Sequence, residues 1–327
     1  MRFSRFSRFS RIVPALLVAL AAGQGMAQDL PPGPIRLLVG FAPGGGNDVI
    51  ARTVATQFQL NTRETMVVEN KPGGGSTVAT AEMARAKPNG SVLLLGSVGG
   101  QAIAPAVYSK LPYDPVKGVQ PVSLVARSAN ALVVNSELPV KTVKELVAYA
   151  KAHPGELNVT SPGNGTISHL SAELFKSMAG VFITHIPYRG DAPAMQDVMA
   201  GQAQMTFASL PSAKAGADSG KVRILAVTST KRVDSMPNVP TIAESGVPGY
   251  DVVSWYGVFT TGGTPAPTVD RLAREIAAVV AQPAIRESIT KMGMEASALG
   301  PVEFANLVNA DAQKWDKVVK TIGLKLD

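Results

Sequence analysis

Short, almost continuously apolar runs alternate along this chain with longer stretches in which apolar residues recur every three or four positions. The first period predicts strands at Ile35 to Phe41, Met66 to Glu69 and Val92 to Leu95, separated by helices at Val49 to Gln59 and Thr77 to Ala86. In the first helix Ile50, Val54 and Phe58 fall on one stripe, and Lys87-Pro88-Asn89-Gly90 has the turn chemistry that ends the second. Strands alternating with helices predict a parallel sheet covered on both faces. The period breaks at Leu111-Pro112-Tyr113-Asp114-Pro115, a predicted loop.

A second period begins near Leu132. Thr142 and Glu145 have the spacing of a capping box, which starts a helix that ends at His153-Pro154-Gly155. Strands follow at Leu157 to Thr160, Phe182 to Ile186, Gln204 to Phe207 and Arg223 to Thr228, with helices at Ser168 to Met178 and Ala194 to Ala200. After a strand at Tyr250 to Phe259 the chain turns helical, at Val269 to Ala281 and Val302 to Ile322. Val269, Leu272, Ile276, Val279 and Val280 make an apolar face that needs a sheet to cover, and the first sheet is the available one. Two strand-rich crossings, Val122 to Asn135 and Tyr250 to Phe259, then join a lobe made of residues 28–127 plus 253–327 to a lobe made of residues 128–252. Such an arrangement permits hinge closure.

Composition changes this picture at the N-terminus. Arg2, Arg5, Arg8 and Arg11 precede an apolar stretch from Ile12 to Ala22 and a small-x-small site at Gly25-Met26-Ala27, the pattern of a signal peptide that leaves Gln28 as the first residue. The apolar stretch, interrupted by Pro14, falls short of the ~20 residues needed to span a bilayer. Removing the leader, residues 1–27, takes away four arginines and no acids, so the formal net charge falls from +7 to +3. The remaining basic residues are scattered and aromatics are only 6 %, which argues against nucleic acid as a partner. No cysteine is present, so disulfides, thiolate chemistry and a lipid-anchoring cysteine are excluded.

Two glycine-rich turns carry the candidate chemistry. Phe41-Ala42-Pro43-Gly44-Gly45-Gly46-Asn47-Asp48 and Ser161-Pro162-Gly163-Asn164-Gly165-Thr166 each lie between a predicted strand and a predicted helix. Small residues let backbone N–H groups approach a ligand, and the following helix aims its unpaired N–H groups and positive dipole end at the same place, so each turn is a candidate anion seat. The first is neither a Walker A loop, because the lysine is missing, nor a dinucleotide fingerprint, because Val49 stands at the third glycine. The turn at Pro72 to Ser76 is read as a simple connector.

Hydrolase constellations are scarce among three histidines. His153 reads as a helix C-terminal cation and His185 as a core residue, whereas His169, i, i+4 to Glu173, reads as half of a local polar pair, or alternatively as a ligand contact because it lies one turn beyond the second glycine turn. Asp48 is either a helix-start acid or a partner for an amine or hydroxyl, and Arg189 either forks onto a carboxylate or makes a surface pair. An enzyme would need an acid, base or nucleophile converging on the cleft, and His169, Asp48 and Asp191 are the available groups. No metal and no cofactor is expected.

Several motifs in order extend from Pro34-Ile35-Arg36 onward: Phe41-x-Pro43-Gly44-Gly45-x-x-Asp48, Glu69-Asn70-Lys71-Pro72-Gly73, Gly163-x-Gly165-Thr166-x-x-His169-Leu170, Tyr188-Arg189-Gly190-x-x-Pro193-Ala194, Leu225-Ala226-Val227-Thr228, Ser254-Trp255-Tyr256-Gly257 and Thr264-Pro265-Ala266-Pro267. With these motifs the chain resembles the extracytoplasmic solute receptors of tripartite tricarboxylate transporters, often called Bug proteins. The resemblance implies a two-lobed, Venus-flytrap periplasmic binding protein of α/β class. Each lobe would be a mainly parallel sheet flanked by helices, with the two crossing strands as hinge. It implies a monomer that closes on a small carboxylate and meets the membrane subunits of a transporter transiently; a periplasmic component feeding a sensor kinase would use the same fold. Carried over residue by residue, the ligand site comprises Phe41, Gly44, Gly45, Asn47, Asp48, Ser97 and Gln101 in one lobe. In the other it comprises Gly163, Gly165, Thr166, His169, Tyr188, Arg189, Asp191 and Ser209. Asn47 departs from the small hydroxyl residue common in the family, and Phe207-Ala208-Ser209 from the usual Phe-Asp-Asn, so ligand choice falls to Asn47, Gln101, Arg189 and Ser209.

Overall fold

The computed structural model describes residues 33–41, 43, 46–188 and 190–326; the leader, Gly44, Gly45 and Arg189 lie outside the described residues. The first segment contains β1 (Ile35–Val39), α1 (Gly46–Thr62), β2 (Met66–Asn70), α2 (Thr77–Ala84), β3 (Val92–Ser97) and α3 (Ala104–Val107). The long β4 (Val119–Asn135) leads into α4 (Val143–Ala152), β5 (Asn158–Ser161), α5 (Ile167–Ala179), β6 (Thr184–Pro187), α6 (Asp191–Met199), β7 (Met205–Ser209), α7 (Leu210–Asp218) and β8 (Val222–Val227). The chain then forms β9 (Val253–Thr261), α8 (Ala266–Ala281), α9 (Pro283–Lys291), β10 (Glu295–Ala296) and α10 (Pro301–Ile322).

Strand pairing divides the molecule into two lobes that share one strand. In the first, β1 lies parallel between β2 and β3, and β9 runs antiparallel to both β3 and the first part of β4. In the second, β5 lies parallel between β6 and β7, and the last residues of β4 pair antiparallel with β7 and β8. Of the two predicted crossings only β4 runs through both sheets. The other enters from the second lobe at Val252, whose N–H donates to Thr228 O at 2.9 Å, before β9 joins the first sheet.

Side-chain alternation explains why the strands read as unbroken apolar runs. Along β4, Leu132 and Val134 face one core while Ala131 and Val133 face another, where α6 and α7 pack. In the first lobe Leu37 and Val39 of β1 meet Ile50, Val54 and Phe58 of α1 and Val269, Leu272, Ile276, Val279 and Val280 of α8. The predicted apolar face of α8 is therefore covered by the first sheet. Each such side chain buried contributes roughly 1.5 to 3 kcal/mol. The opposite face of the first sheet merges with the second lobe's core through Tyr250, Trp255, Phe304 and Trp315, so the lobes are not separate hydrophobic units.

Local signals held where they were strong. Thr142 Oγ1 accepts from Glu145 N at 3.1 Å, while Glu145 Oε2 accepts from Lys141 N at 2.5 Å, so the capping pair forms one residue wider than the usual box. Besides the two-residue β10, three helical elements were not anticipated: α7, α9, and the segment in which a π-helical turn at Gly99–Ile103 runs into α3. Each begins near glycine or proline, where local propensity points to a loop and tertiary packing decides otherwise.

Candidate functional site

Parallel strands place their following turns at one edge of a sheet. Phe41, Asn47 and Asp48 follow β1, Ser97 ends β3 and Gln101 follows it, and the second glycine turn with Thr166 and His169 follows β5. Tyr188 and Asp191 follow β6, and Ser209 ends β7. Every described candidate thus lies at the carboxyl end of a parallel strand.

In the first lobe Asp48 is buried and faces its own neighbours: its oxygens accept from Asn70 Nδ2 at 2.9 Å and Arg52 Nε at 3.0 Å. Asn70 also donates to Phe41 O at 3.0 Å, which ties the first glycine turn to the end of β2. Asn47 is half-buried, and its Oδ1 is shut off from solvent with no hydrogen-bond donor among the described residues. Gln101 donates to Thr80 Oγ1 at 3.0 Å, and Thr80 in turn donates to Ser76 O at 2.9 Å.

The turn at Pro72 to Ser76 connects β2 to α2 and is packed into the sheet edge through Ser76. Ser76 is fully buried in a left-handed conformation with φ 83°, and its Oγ has no hydrogen-bond partner among the described residues. A Cβ on Gly40 would lie 2.0 Å from Ser76 Oγ, and one on Gly100 would lie 2.9 Å from Ser76 Cβ. The turn after β2 is therefore wedged between the ends of β1 and β3. The positive φ of a buried non-glycine residue is the kind of strain that gathers at functional sites.

The second glycine turn is organised from within. Gly163 N–H donates to Ser161 Oγ at 3.2 Å, Gly165 N–H donates to His169 Nδ1 at 3.1 Å, and Thr166 caps α5 by accepting from His169 N at 3.3 Å. Because His169 Nδ1 accepts, the ring proton sits on Nε2, 3.7 Å from Glu173 Oε1. The His169 ring stacks on His185 at 3.8 Å between centroids, and His185 Nε2 lies 2.7 Å from Ser161 Oγ. Ser161 has no solvent exposure and its hydroxyl also contacts Gly163 O at 3.0 Å, so this Ser–His contact braces the turn. The loop after β6 joins the same turn, with Gly190 N donating to Pro162 O at 3.2 Å, but Tyr188 points its hydroxyl along its own lobe to Asp197.

The stacked imidazoles set a pH dependence. Burial pushes the pKa of both His169 and His185 down to about 4 from the ordinary 6.5, with Lys176 adding at His169, and His169 followed by Lys176 at His185. A base whose folded pKa is depressed contributes stability that is full above its unfolded pKa and is lost as pH falls towards the folded value. For His169 alone this amounts to on the order of 3 kcal/mol between pH 6.5 and 4. The melting temperature is expected to fall across that window; a flat profile from pH 7 to 4.5 contradicts the assignment.

Electrostatics and packing both reach from one lobe to the other. Asp191, at the start of α6, is open to solvent yet surrounded by enough protein that burial raises its carboxyl pKa, as expected in a cleft. Tyr256 of β9 has its hydroxyl pKa raised by burial first and then by the charge of Asp191. Gly165 adjoins Leu326 and Val107, and Gly293 adjoins Pro211. Ser209 lies deeper, in register with Asn130 of β4. Along β9 Trp255 is 1 % exposed and packs into the shared core, so by strand alternation Tyr256 faces the other way. Among the described residues no group of three or more His, Asp or Glu side chains is arranged to hold a metal ion. No described helix is long and apolar enough to cross a membrane.

Residues 50–324 match the family described as "Tripartite tricarboxylate transporter family receptor". A UPF0065 protein from the tcbD-tcbE intergenic region of Pseudomonas sp. is 33 % identical over 313 residues, covering 94 % of this chain and 93 % of the relative. Among solved structures, an R. palustris protein with adipate is 35 % identical with a TM-score of 0.79, covering 91 % of this chain and 99 % of the other. MatC from Rhodopseudomonas palustris with bound malate is 31 % identical with a TM-score of 0.73, covering 88 % and 99 %. With a family match across most of its length and relatives above 30 % identity, the chain belongs to the receptor family of tripartite tricarboxylate transporters.

Proposed function

We propose that this protein is a periplasmic receptor that captures a small carboxylate between its two lobes and hands it to the membrane subunits of a tripartite transporter. Residues 1–27 act as the export signal, residues 28–127 plus 253–327 form one lobe and residues 128–252 the other. The observation that carries the reading is the placement of the turns after β1, β2, β3, β5, β6 and β7 at the strand ends of two lobes that meet at Gly165 with Leu326 and at Gly293 with Pro211. The relatives with adipate and malate supply the ligand class. The first glycine turn and the amino end of α5 provide N–H donors for a carboxylate, while Asn47, Gln101, Arg189 and Ser209 choose its remainder.

The site binds without turnover. Ser161 is buried, His169 Nδ1 already holds a backbone N–H, and Asp48 is engaged by Arg52 and Asn70. None of these is placed as an accessible nucleophile or base, and Asp191, the one candidate group open to solvent, has neither beside it among the described hydrogen bonds. Adipate, malate and related carboxylates, each titrated against the purified protein, are expected to include at least one that raises the melting temperature. At 100 times its Kd such a ligand stabilises by about 2.7 kcal/mol, on the order of 5 °C for a chain of this size. A panel that yields product instead of a shift would sink the proposal.

A further inference from the structure

The segment that follows α10 returns to the second glycine turn. Helix α10 ends at Gly323, in a left-handed conformation with φ 66°, and Leu324 N closes the cap on Val319 O at 3.2 Å. Leu326 N then donates to Val107 O at 2.8 Å, which fastens this segment to the end of α3 in the first lobe. The half-buried side chain of Leu326 lies against the second lobe: its Cδ1 is 2.6 Å from where a Cβ on Gly165 would sit, and Val107 Cγ2 is 3.9 Å from the same point. Gly165 has φ +73° and donates its N–H to His169 Nδ1. Its backbone is therefore fixed from inside by a histidine and from outside by a leucine of the other lobe.

We propose that Leu326 is a positioning residue, a strap that holds the second glycine turn in its ligand-receiving form and couples it to the first lobe. The inference rests on the carboxylate-receptor reading. The physical argument is one of attachment. The Leu326 backbone is bonded to Val107, so it moves with α3, whereas its side chain packs on a turn that moves with α5. Any rotation of one lobe against the other must slide or break this contact. The contact thus favours one lobe arrangement over others by the packing of a single leucine, a differential interaction of the kind that shifts a two-state equilibrium. Glycine at 165 is what allows the approach, because any side chain there would meet Leu326.

Leu326→Ala tests this, with Leu326→Met as the volume-conserving control. Two readouts are made on the full-length mature protein: amide exchange over residues 163–170 without ligand, and the affinity and dissociation rate of a carboxylate that shifts the wild type. The alanine variant is expected to exchange about tenfold faster in that segment and to bind about tenfold more weakly, mainly through faster dissociation, while methionine restores both. A lower melting temperature with unchanged exchange and unchanged dissociation would mean ordinary packing and overturns the proposal. If no carboxylate on the panel binds wild type, the receptor reading fails, and the exchange measurement alone still decides whether Leu326 holds the turn.

Discussion

Gly40→Ala is expected to abolish the carboxylate-induced thermal shift and to destabilise the ligand-free protein by 3 kcal/mol or more. Overpacking a well-filled core ordinarily costs about 1 to 3 kcal/mol, because side chains can still shift. Here the new methyl would meet Ser76 Oγ at 2.0 Å, Ser76 Cβ at 2.4 Å and Ser76 Cα at 2.6 Å. The last is backbone, so the end of β1 and the turn before α2 must separate. Those segments carry Phe41, Asn47 and Asp48 on one side and the Ser76–Thr80–Gln101 chain on the other. Separation would therefore move most of the first lobe's wall at once. Ser76→Gly removes two of the three close contacts and relieves the left-handed serine, so it is expected to be neutral or stabilising alone and to recover part of the loss in the double variant. Wild-type melting and binding in Gly40→Ala would show that the wedge has room to give.

The second large effect lies where the lobes share a core. Trp255→Ala is expected to destabilise by roughly 5 to 8 kcal/mol, combining about 3 to 5 for an emptied tryptophan site with about 1.5 to 3 for a lost hydrogen bond to a charged group. Trp255 packs edge-on against Phe304 at 5.4 Å and 88°, and its Nε1 donates to Asp311 Oδ2 at 2.7 Å. Asp311 is itself 7 % exposed and holds Lys314 at 2.9 Å, so removing the indole leaves a buried carboxylate with one partner fewer. A total of that size is a large share of the 5 to 15 kcal/mol by which folded proteins are stable. Urea titration reads the midpoint, and the remaining tryptophan, Trp315, keeps a fluorescence signal. Trp255→Phe separates the two contributions, since it refills much of the cavity but still strands Asp311; equal losses in both variants would assign the effect to the hydrogen bond alone.

Both effects concern contacts made by residues far apart in the chain, and this separates what was legible from what was not. Alternation and helical periodicity depend on neighbours two to four positions away, so they predicted every strand but the two-residue β10 and most helices to within a few residues. The same local logic placed the candidate residues at turns after strands. It read Pro72 to Ser76 as a connector and carried no sign that Gly40 and Gly100 close on Ser76 from either side. Asp48 had two open readings, and only the fold showed Asn70 and Arg52 against its carboxylate.

Local pattern along the chain is enough to specify an α/β protein with two strand-helix periods, two glycine turns at helix starts and two crossings between halves. Folding settles that β4 alone threads both sheets, that Trp255 reaches Asp311, and that Leu326 closes on Gly165. The reason is physical: a local pattern specifies which face of an element is apolar, but which faces meet depends on burial summed over the whole molecule, and that sum exists only once the chain is folded.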